Sequence, residues 1–402
     1  MIRLDRSISL LRNGYRFGPL ARGDQDAGET RLLGRRTTVV SGEEGVRLFY
    51  DESAVRRRGG MPRPLRRTLF GEGAVHGLDD NAHRSRKAMF LALLTRSAAA
   101  SIADRAAQRW KAAAAEWRPG QPVVLFDAAV QVHGTAVCEW AGIPADRVDA
   151  TLFRDLATIV DGFGSIGPRH VQAQAARRRA DRWAASLIAD MRRNVAGIPA
   201  GTPAHVIASN RDGDGALLPP EVAGVELLNV LRPTVAVAYF SAFAGLALQE
   251  HPDWRERLGD EEALEAFAQE VRRFYPFVPA LGALVRRELS WRERRLPVGE
   301  RLILDVYGTL HGAADWDAPE RFDPERFLAG RVDPGVLIPQ GGGPPLGHRC
   351  PGERVALDLI KATARLLASV DYDVPAQDLT VSLRRMPTRP RSGFVLIPTA
   401  AL

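Results

Sequence analysis

One cysteine, at the end of a glycine-rich stretch, has the most specific chemistry in this chain. Cys350 lies in the segment 339–353, PQGGGPPLGHRCPGE, and an apolar helical pattern follows from Val355 to Leu367. Pro351 and Gly352 mark a helix start, so amide N–H groups should face the thiol and favour the thiolate. A thiolate in such a loop is a good axial ligand for haem iron; a buried structural cysteine is the alternative.

A second unusual feature is an arginine followed by a proline inside a long apolar helix, predicted from Pro220 to about Glu250. Pro233 removes one helical hydrogen bond and should kink the helix. Arg232 cannot lose its proton readily, so a buried guanidinium must find an anion. The side chain could pair with a nearby acid such as Glu226, or it could bind an acidic substrate.

Further cationic and donor groups lie one helical turn apart in a helix predicted from about Ala82 to Leu94, with residues 79–81 as its cap. His83 and Lys87 share one face of that helix, which suits an anionic group such as a haem propionate. Arg57, in a run of three arginines, could reach the same group. The alternative for each is an ordinary solvated surface.

Bulk properties describe an ordinary globular protein of 402 residues, with 45% hydrophobic and 26% charged residues. The two cysteines exclude a disulfide framework and favour the cytoplasm, and Cys138 lies in an apolar run typical of a core. We expect no signal peptide and no membrane span. The net charge of +7 is scattered and carries no nucleic-acid-binding motif.

The elements that must position these residues are mainly helices, with a minor β region in a single domain covering residues 1–402. No internal repeat or domain boundary is recognisable. The remaining predicted helices cover residues 42–50, 101–117, 145–163, 170–195 and 261–275. The predicted strands lie at residues 37–40, 284–291 and 301–306, with short ones between 371 and 398.

Three separated motifs now stand in order: Glu270-x-x-Arg273, Pro324-Glu325-Arg326-Phe327 and Gly347-His348-Arg349-Cys350-Pro351-Gly352. Together they resemble the haem-thiolate cytochrome P-450 superfamily across essentially the whole chain. The resemblance implies the P-450 fold, with haem b between the long central helix and the cysteine-loop helix. It also implies that Glu270, Arg273 and Arg326 form an ionic cluster, that Cys350 ligates iron, and that His83, Lys87, His348 and Arg57 meet the propionates.

The sequence departs from the common pattern of that superfamily. Gly343 stands where a phenylalanine is usual, and Leu346 replaces a glycine. Arg232-Pro233 occupies the place of the acid–alcohol pair that usually relays protons. These departures, and the stretches 229–236 (NVLRPTVA), 269–277 (QEVRRFYPF) and 338–343 (IPQGGG), resemble the bacterial fatty-acid peroxygenase branch.

That branch implies an enzyme that oxidises long-chain fatty acids with hydrogen peroxide at carbons 2 and 3, without an obligatory redox partner. Arg232, next to Pro233, would hold the substrate carboxylate, which acts as the general acid–base that the protein lacks. The residues expected to line the path of the acyl chain are Phe70, Leu78, Phe163, Phe277 and Leu281.

His76 is a further candidate, because members of this branch that favour alkenes resemble this chain in having histidine there. Hydroxylation and decarboxylation to a terminal alkene are therefore both expected, although His76 could serve only local packing. Two other functions remain open: a monooxygenase that uses O₂ and NADPH through redox partners, and a non-catalytic haem sensor.

Overall fold

Helices form most of the chain, as the apolar periodicity predicted. The computed structural model describes residues 5–23, 25–148, 151–195, 197–330 and 332–400. Within this part, the α-helices are α1 Ser7–Asn13, α2 Phe17–Arg22, α3 Gly42–Tyr50, α4 Arg63–Leu69, α5 Asp80–Leu93, α6 Arg96–Ala115, α7 Leu125–Ala141, α8 Leu152–Asp161, α9 Pro168–Arg192, α10 Pro203–Ala208, α11 Pro220–Ala236, α12 Ala238–Glu250, α13 Trp254–Arg257, α14 Glu261–Phe274, α15 Val306–Leu310, α16 Glu325–Leu328 and α17 Glu353–Ser369.

Short strands form three sheets. They are β1 Ala27–Leu32, β2 Arg35–Val40, β3 Val55–Arg56, β4 Val123–Val124, β5 Ala280–Val285, β6 Leu289–Trp291, β7 Arg294–Leu296, β8 Arg301–Asp305, β9 Tyr372–Asp373 and β10 Val395–Pro398. The largest sheet has the order β1-β2-β8-β5-β3, in which only β2 and β8 run parallel. The others have the orders β4-β10-β9 and β6-β7. The predicted strands at 37–40 and 301–306 thus pair with each other.

Helices α11 and α12 form the centre of the larger hydrophobic core. They pack against α7, α8, α9 and α17, and nearly every side chain from Ala223 to Leu248 is buried. The stretch Pro220–Glu250 is, within the described ranges, the one helix long and apolar enough to cross a membrane, and 94% of its most apolar window is buried inside the protein. Burial on all sides explains its composition.

The interruption predicted at Pro233 lies four residues further along the helix. The backbone stays helical through Ala236, turns at Val237 and resumes in α12. The Val237 N–H donates to the carbonyl oxygen of Thr234 at 3.2 Å, three residues back rather than the four of an α-helix. The interruption therefore follows Pro233 by one turn instead of lying at the proline itself.

Two local predictions were wrong. The helix predicted for 145–163 is divided into a 3₁₀ turn at Ala145–Arg147 and helix α8, with residues 149 and 150 outside the described part. The Asp79 side chain does not cap α5; its carboxylate accepts the backbone N–H groups of Arg57 and Arg58 at 2.6 and 3.0 Å. Asp79 therefore ties the arginine run to the start of α5.

Candidate active site

The loop before α17 is shaped by close contact with one tyrosine. Tyr50 accepts the Gly342 N–H at 2.8 Å, and a Cβ at Gly343 would lie 2.5 Å from its ring. Gly341 and Gly343 both have positive φ, which glycine adopts without strain. An aromatic side chain at position 343, usual in the resembled superfamily, would therefore collide with Tyr50.

Helix α17 begins at Glu353, with Gly352 as the cap residue, so Cys350 lies just before its positive end. The Gly352 N–H acts on the Cys350 sulfur, as the position before a helix predicts. Burial raises the pKa of the Cys350 thiol, and the Gly352 N–H and the Lys87 ammonium, which lower it, do not outweigh burial. Cys138 is buried, as predicted for a core residue.

A cavity of about 280 Å³ lies between α11 and the Cys350 loop. It brings together eleven of the thirteen residues that the sequence singled out: Phe70, His76, His83, Lys87, Phe163, Arg232, Pro233, Phe277, Leu281, His348 and Cys350. Leu78 and Arg57 are not among its lining residues. Most of the lining is apolar, and none of the described lining residues is Asp or Glu.

Arg232 enters this cavity from α11 and is only 5% exposed. Its Nη2 donates to the Asn229 side-chain oxygen at 3.2 Å, and its guanidinium carbon lies 5.5 Å from the centre of the Phe70 ring. Its Nε has no hydrogen-bond partner, and within the described ranges Arg232 forms no salt bridge. Burial lowers the pKa of Arg232 to about 9, and the positive charge of Arg177 is a smaller cause of the same shift. The group is therefore still a cation at pH 7.

The pairing of Arg232 with Glu226, considered as an alternative from the sequence, does not occur. The Glu226 carboxylate accepts Nη1 of Arg86 at 2.7 Å and the Val75 N–H at 2.8 Å. Its other oxygen accepts the Asn229 side-chain amide at 3.0 Å. Arg86 therefore satisfies the acid, and the Arg232 charge remains available to a ligand.

His76 stacks on Phe70 with ring centres 4.0 Å apart. Much of its surface is accessible, but the ring lines the internal cavity, so this exposure is to the cavity. Burial is the main reason that the pKa of His76 lies well below its ordinary value, and the positive charge of Arg232 lowers it further. His76 is therefore a neutral imidazole beside Arg232.

Two of the predicted propionate-binding side chains, His83 and Lys87, are buried, so the solvated-surface alternative was wrong for them, whereas Arg57 and His348 are half-buried. His83 stacks on His348 at 3.8 Å, and Lys87 donates to the Arg349 carbonyl next to Cys350. Burial lowers the pKa of His83 to about 4 and that of Lys87 to about 8. Arg57 lies over the Phe49 ring at 4.0 Å, beside a smaller pocket that shares His348 with the cavity.

Sequence reasoning missed several polar residues of the cavity, among them Asn229 and Gln340. Both amide atoms of Gln340 are buried without a partner in the described structure. Asn229 could have been found from its position three residues before Arg232 on the same helical face. Gln340 had no such signal, because a loop has no fixed periodicity.

Away from the cavity, the predicted ionic cluster forms. Arg273 donates two hydrogen bonds of 2.7 Å to Glu270, and both side chains are fully buried. Arg273 also donates to the carbonyl oxygens of Leu310, Pro319 and Arg321. Nε of Arg326 lies 3.4 Å from Glu270. The cluster fastens α14 to the segment before α16.

Comparison with known proteins identifies this arrangement. The family described as cytochrome P-450 matches residues 252–395, which hold both the ionic cluster and Cys350. The structure of cytochrome P-450 SP alpha (CYP152B1) in complex with (R)-ibuprofen is 41% identical, covers 98% of each chain and has a TM-score of 0.93. The chain belongs to the cytochrome P-450 family.

Two further structures place this P-450 among the CYP152 proteins. Cytochrome P-450 EX alpha (CYP152N1) with myristic acid is 37% identical over 99% of this chain and 97% of that one. Ligand-free cytochrome P-450 OleT is 32% identical over 98% and 96%, and both have TM-scores of 0.93. Cytochrome P-450 3A16 of Mus musculus is 24% identical over 200 residues, and the chain covers only 39% of its length.

A P-450 carries haem, and the residues around the cavity fit that group. Nδ1 of His83 and both amide atoms of Gln340 are buried without partners in the described structure. These donors and acceptors, with the Lys87 ammonium, require polar groups at the edge of a ligand that is otherwise apolar. The Cys350 sulfur lines the same cavity, and a cysteine thiolate is a ligand for a metal ion. A haem with its propionates supplies both.

Proposed function

We propose that this P-450 is a fatty-acid peroxygenase. It would use hydrogen peroxide to hydroxylate long-chain fatty acids at carbons 2 and 3, or to decarboxylate them to terminal alkenes. The observation that carries the proposal is Arg232: a buried cation, without a carboxylate partner among the described residues, in a largely apolar cavity. Such a site suits a ligand that has one carboxylate and a long hydrocarbon chain.

The structural neighbours support this substrate class. The ligands of two of them, myristic acid and ibuprofen, are both carboxylic acids with an apolar body. Each CH₂ group buried in the cavity would contribute about 0.8 kcal/mol. A carboxylate about 4 Å from Arg232 would add ~4 kcal/mol at an effective dielectric of 20, before the cost of desolvation. Phe70, Phe163, Phe277 and Leu281 would surround the chain.

The cofactor would be haem b, held by Cys350 through its thiolate, with His83, Lys87, His348 and Arg57 toward its propionates. When bound, the haem supplies the oxidising chemistry, and the thiolate favours cleavage of the peroxide O–O bond. The positive end of α17 would stabilise the ligating thiolate.

The substrate itself would supply the missing acid–base group. No described lining residue is Asp or Glu, so the cavity offers no carboxyl of its own for moving a proton. A carboxylate held by Arg232 could accept a proton and return it at a fixed position. The same contact would place carbons 2 and 3 nearest the reacting centre, which sets the site of oxidation. Pro233 shapes the helix that presents this contact.

The decisive experiment treats purified holoprotein with hydrogen peroxide and a mixture of saturated fatty acids, and identifies products by mass spectrometry. We expect 2- or 3-hydroxy acids, terminal alkenes, or both. Arg232→Ala should retain haem but lose at least about a hundredfold in turnover, the equivalent of ~3 kcal/mol of the ion pair. Near-parent turnover by this variant would refute the carboxylate mechanism, and turnover only with NADPH and redox partners would indicate a monooxygenase.

A further inference from the structure

Three polar side chains follow one face of α11 at intervals of one turn. Glu226, Asn229 and Arg232 are spaced three residues apart, and all three are buried. Residues at this spacing are neighbours on a helix surface. The Arg232 guanidinium donates to the Asn229 side-chain oxygen, and the Asn229 side-chain nitrogen donates to the Glu226 carboxylate. The amide therefore separates the two charges.

The surroundings of Asn229 fix its orientation. Its amide nitrogen donates to the carbonyl oxygen of Phe70 at 3.1 Å and to Glu226 Oε2 at 3.0 Å. Its side-chain oxygen accepts from Arg232 at 3.2 Å. A rotated amide would face its oxygen toward two other acceptors and its nitrogen toward a donor, which would lose all three hydrogen bonds.

The acid at the other end of this face is equally fixed. Glu226 accepts from Arg86 at 2.7 Å and from the Val75 N–H at 2.8 Å, and Arg86 also contacts Asp212. Glu226 and Asn229 thus hold both ends of the segment from Phe70 to Val75 against α11. That segment carries the Phe70 ring into the cavity and leads directly to His76.

We propose that Asn229 is a positioning residue that directs Arg232 into the cavity without neutralising its charge. The site thereby selects carboxylates over uncharged long-chain ligands. The inference rests on the proposed function. A carboxylate in place of the amide would pair with Arg232 and compete with the substrate. An apolar residue would leave the guanidinium free to turn away. A neutral acceptor with a fixed orientation avoids both effects. It holds the guanidinium in place by a hydrogen bond but does not neutralise the positive charge, which remains able to bind the ligand's carboxylate.

The test measures binding of myristic acid and of 1-tetradecanol to the holoenzyme through the shift of the haem Soret band. In the parent protein we expect the acid to bind more tightly than the alcohol. Asn229→Ala should weaken binding of the acid about tenfold, as expected for one hydrogen bond to a charged group, and leave the alcohol within about twofold. Asn13→Ala is the matched control, because the Asn13 amide also donates two hydrogen bonds, to Ser9, far from the cavity.

The outcomes separate this inference from the proposed function. Equal weakening of acid and alcohol by Asn229→Ala would overturn the inference, since it would show general damage to the Phe70 segment. Unchanged binding of the acid would also overturn it. Asn229→Ser, a smaller change in polarity, repeats the comparison if the alanine variant does not retain haem. If the Arg232→Ala variant still binds the acid more tightly than the alcohol, the proposed function fails. If Arg232→Ala loses this preference but the Asn229 variants keep it, the proposed function stands and this inference alone fails.

Discussion

Two buried arginines on different helices have opposite surroundings. Arg273 on α14 has a bidentate partner in Glu270 and donates to three backbone carbonyls. Arg232 on α11 has one neutral hydrogen-bond partner, Asn229, and a free Nε. Both side chains are at most 5% exposed. Burial alone therefore says nothing about the role of a charge; the distinction is whether folding supplies its counter-ion.

This difference predicts different responses to substitution. Removing one partner of a satisfied buried pair leaves an uncompensated charge and damages the fold. Removing a cation that has no counter-ion relieves a desolvation cost and damages only the binding of the ligand that would neutralise it. The following experiments challenge or refine this contrast, beginning with the largest expected effect.

Glu270→Ala should be the most damaging change. It leaves Arg273 buried without its anion and should lower the free energy of unfolding by ~3–5 kcal/mol. We expect little soluble haem-containing protein, measured by expression yield and by the haem-to-protein absorbance ratio. Glu43→Ala is the control, because its pair with Arg47 is exposed and should contribute under ~1 kcal/mol. If the Glu270 variant is as stable as the parent protein, the claim that the Glu270–Arg273 pair is needed for the fold is wrong.

Arg232→Met should lose fatty-acid binding without losing stability. The apolar side chain has a similar length and fits the apolar lining, so the thermal midpoint without fatty acid should be unchanged or higher. Differential scanning calorimetry of the holoprotein measures it. A fall comparable to that of Glu270→Ala would mean that Arg232 is also a structural cation.

The pH dependence of binding should reveal the free charge of Arg232. Burial lowers its pKa to about 9, so the cation is present below that pH and is lost above it. Fatty-acid affinity, from Soret titrations, should be constant between about pH 6 and 8 and fall about tenfold per unit above pH 9. Binding of 1-tetradecanol should not change over this range. Parallel pH curves for the acid and the alcohol would contradict the assignment.

His76→Gln should have the smallest effect. The imidazole is already neutral, because burial and Arg232 hold its pKa well below the ordinary value, so glutamine changes hydrogen-bond geometry rather than charge. We expect the ratio of alkene to hydroxy acid to fall by about fivefold, the equivalent of one hydrogen bond of ~1 kcal/mol. Gas chromatography of the two products measures the ratio. An identical ratio would restrict His76 to packing against Phe70.

Much of the site could be predicted from the sequence, because its parts are local. The position of Cys350 before α17, the spacing of His83 and Lys87 on α5 and the pair Glu270 and Arg273 on α14 each depend on one loop or one helical turn. Leu78 was assigned to the cavity lining without such support, and the structure places it outside that lining. The rise that burial causes in the pKa of the Cys350 thiol could not be predicted, because a helix dipole is local whereas burial is a property of the whole fold.

By itself, the sequence determined which residues are candidates for the chemistry, a cysteine before a helix and an arginine in an apolar helix, and which Arg-Glu pair one turn apart forms a buried ionic cluster. Only the tertiary structure decided that Arg232 has no counter-ion among the described residues. The acid nearest to it in the sequence, Glu226, pairs instead with Arg86, which lies 140 residues earlier in the chain. Electrostatic pairing depends on distance in space, and the contact between Arg86 on α5 and Glu226 on α11, rather than either helix alone, leaves one cation for the ligand.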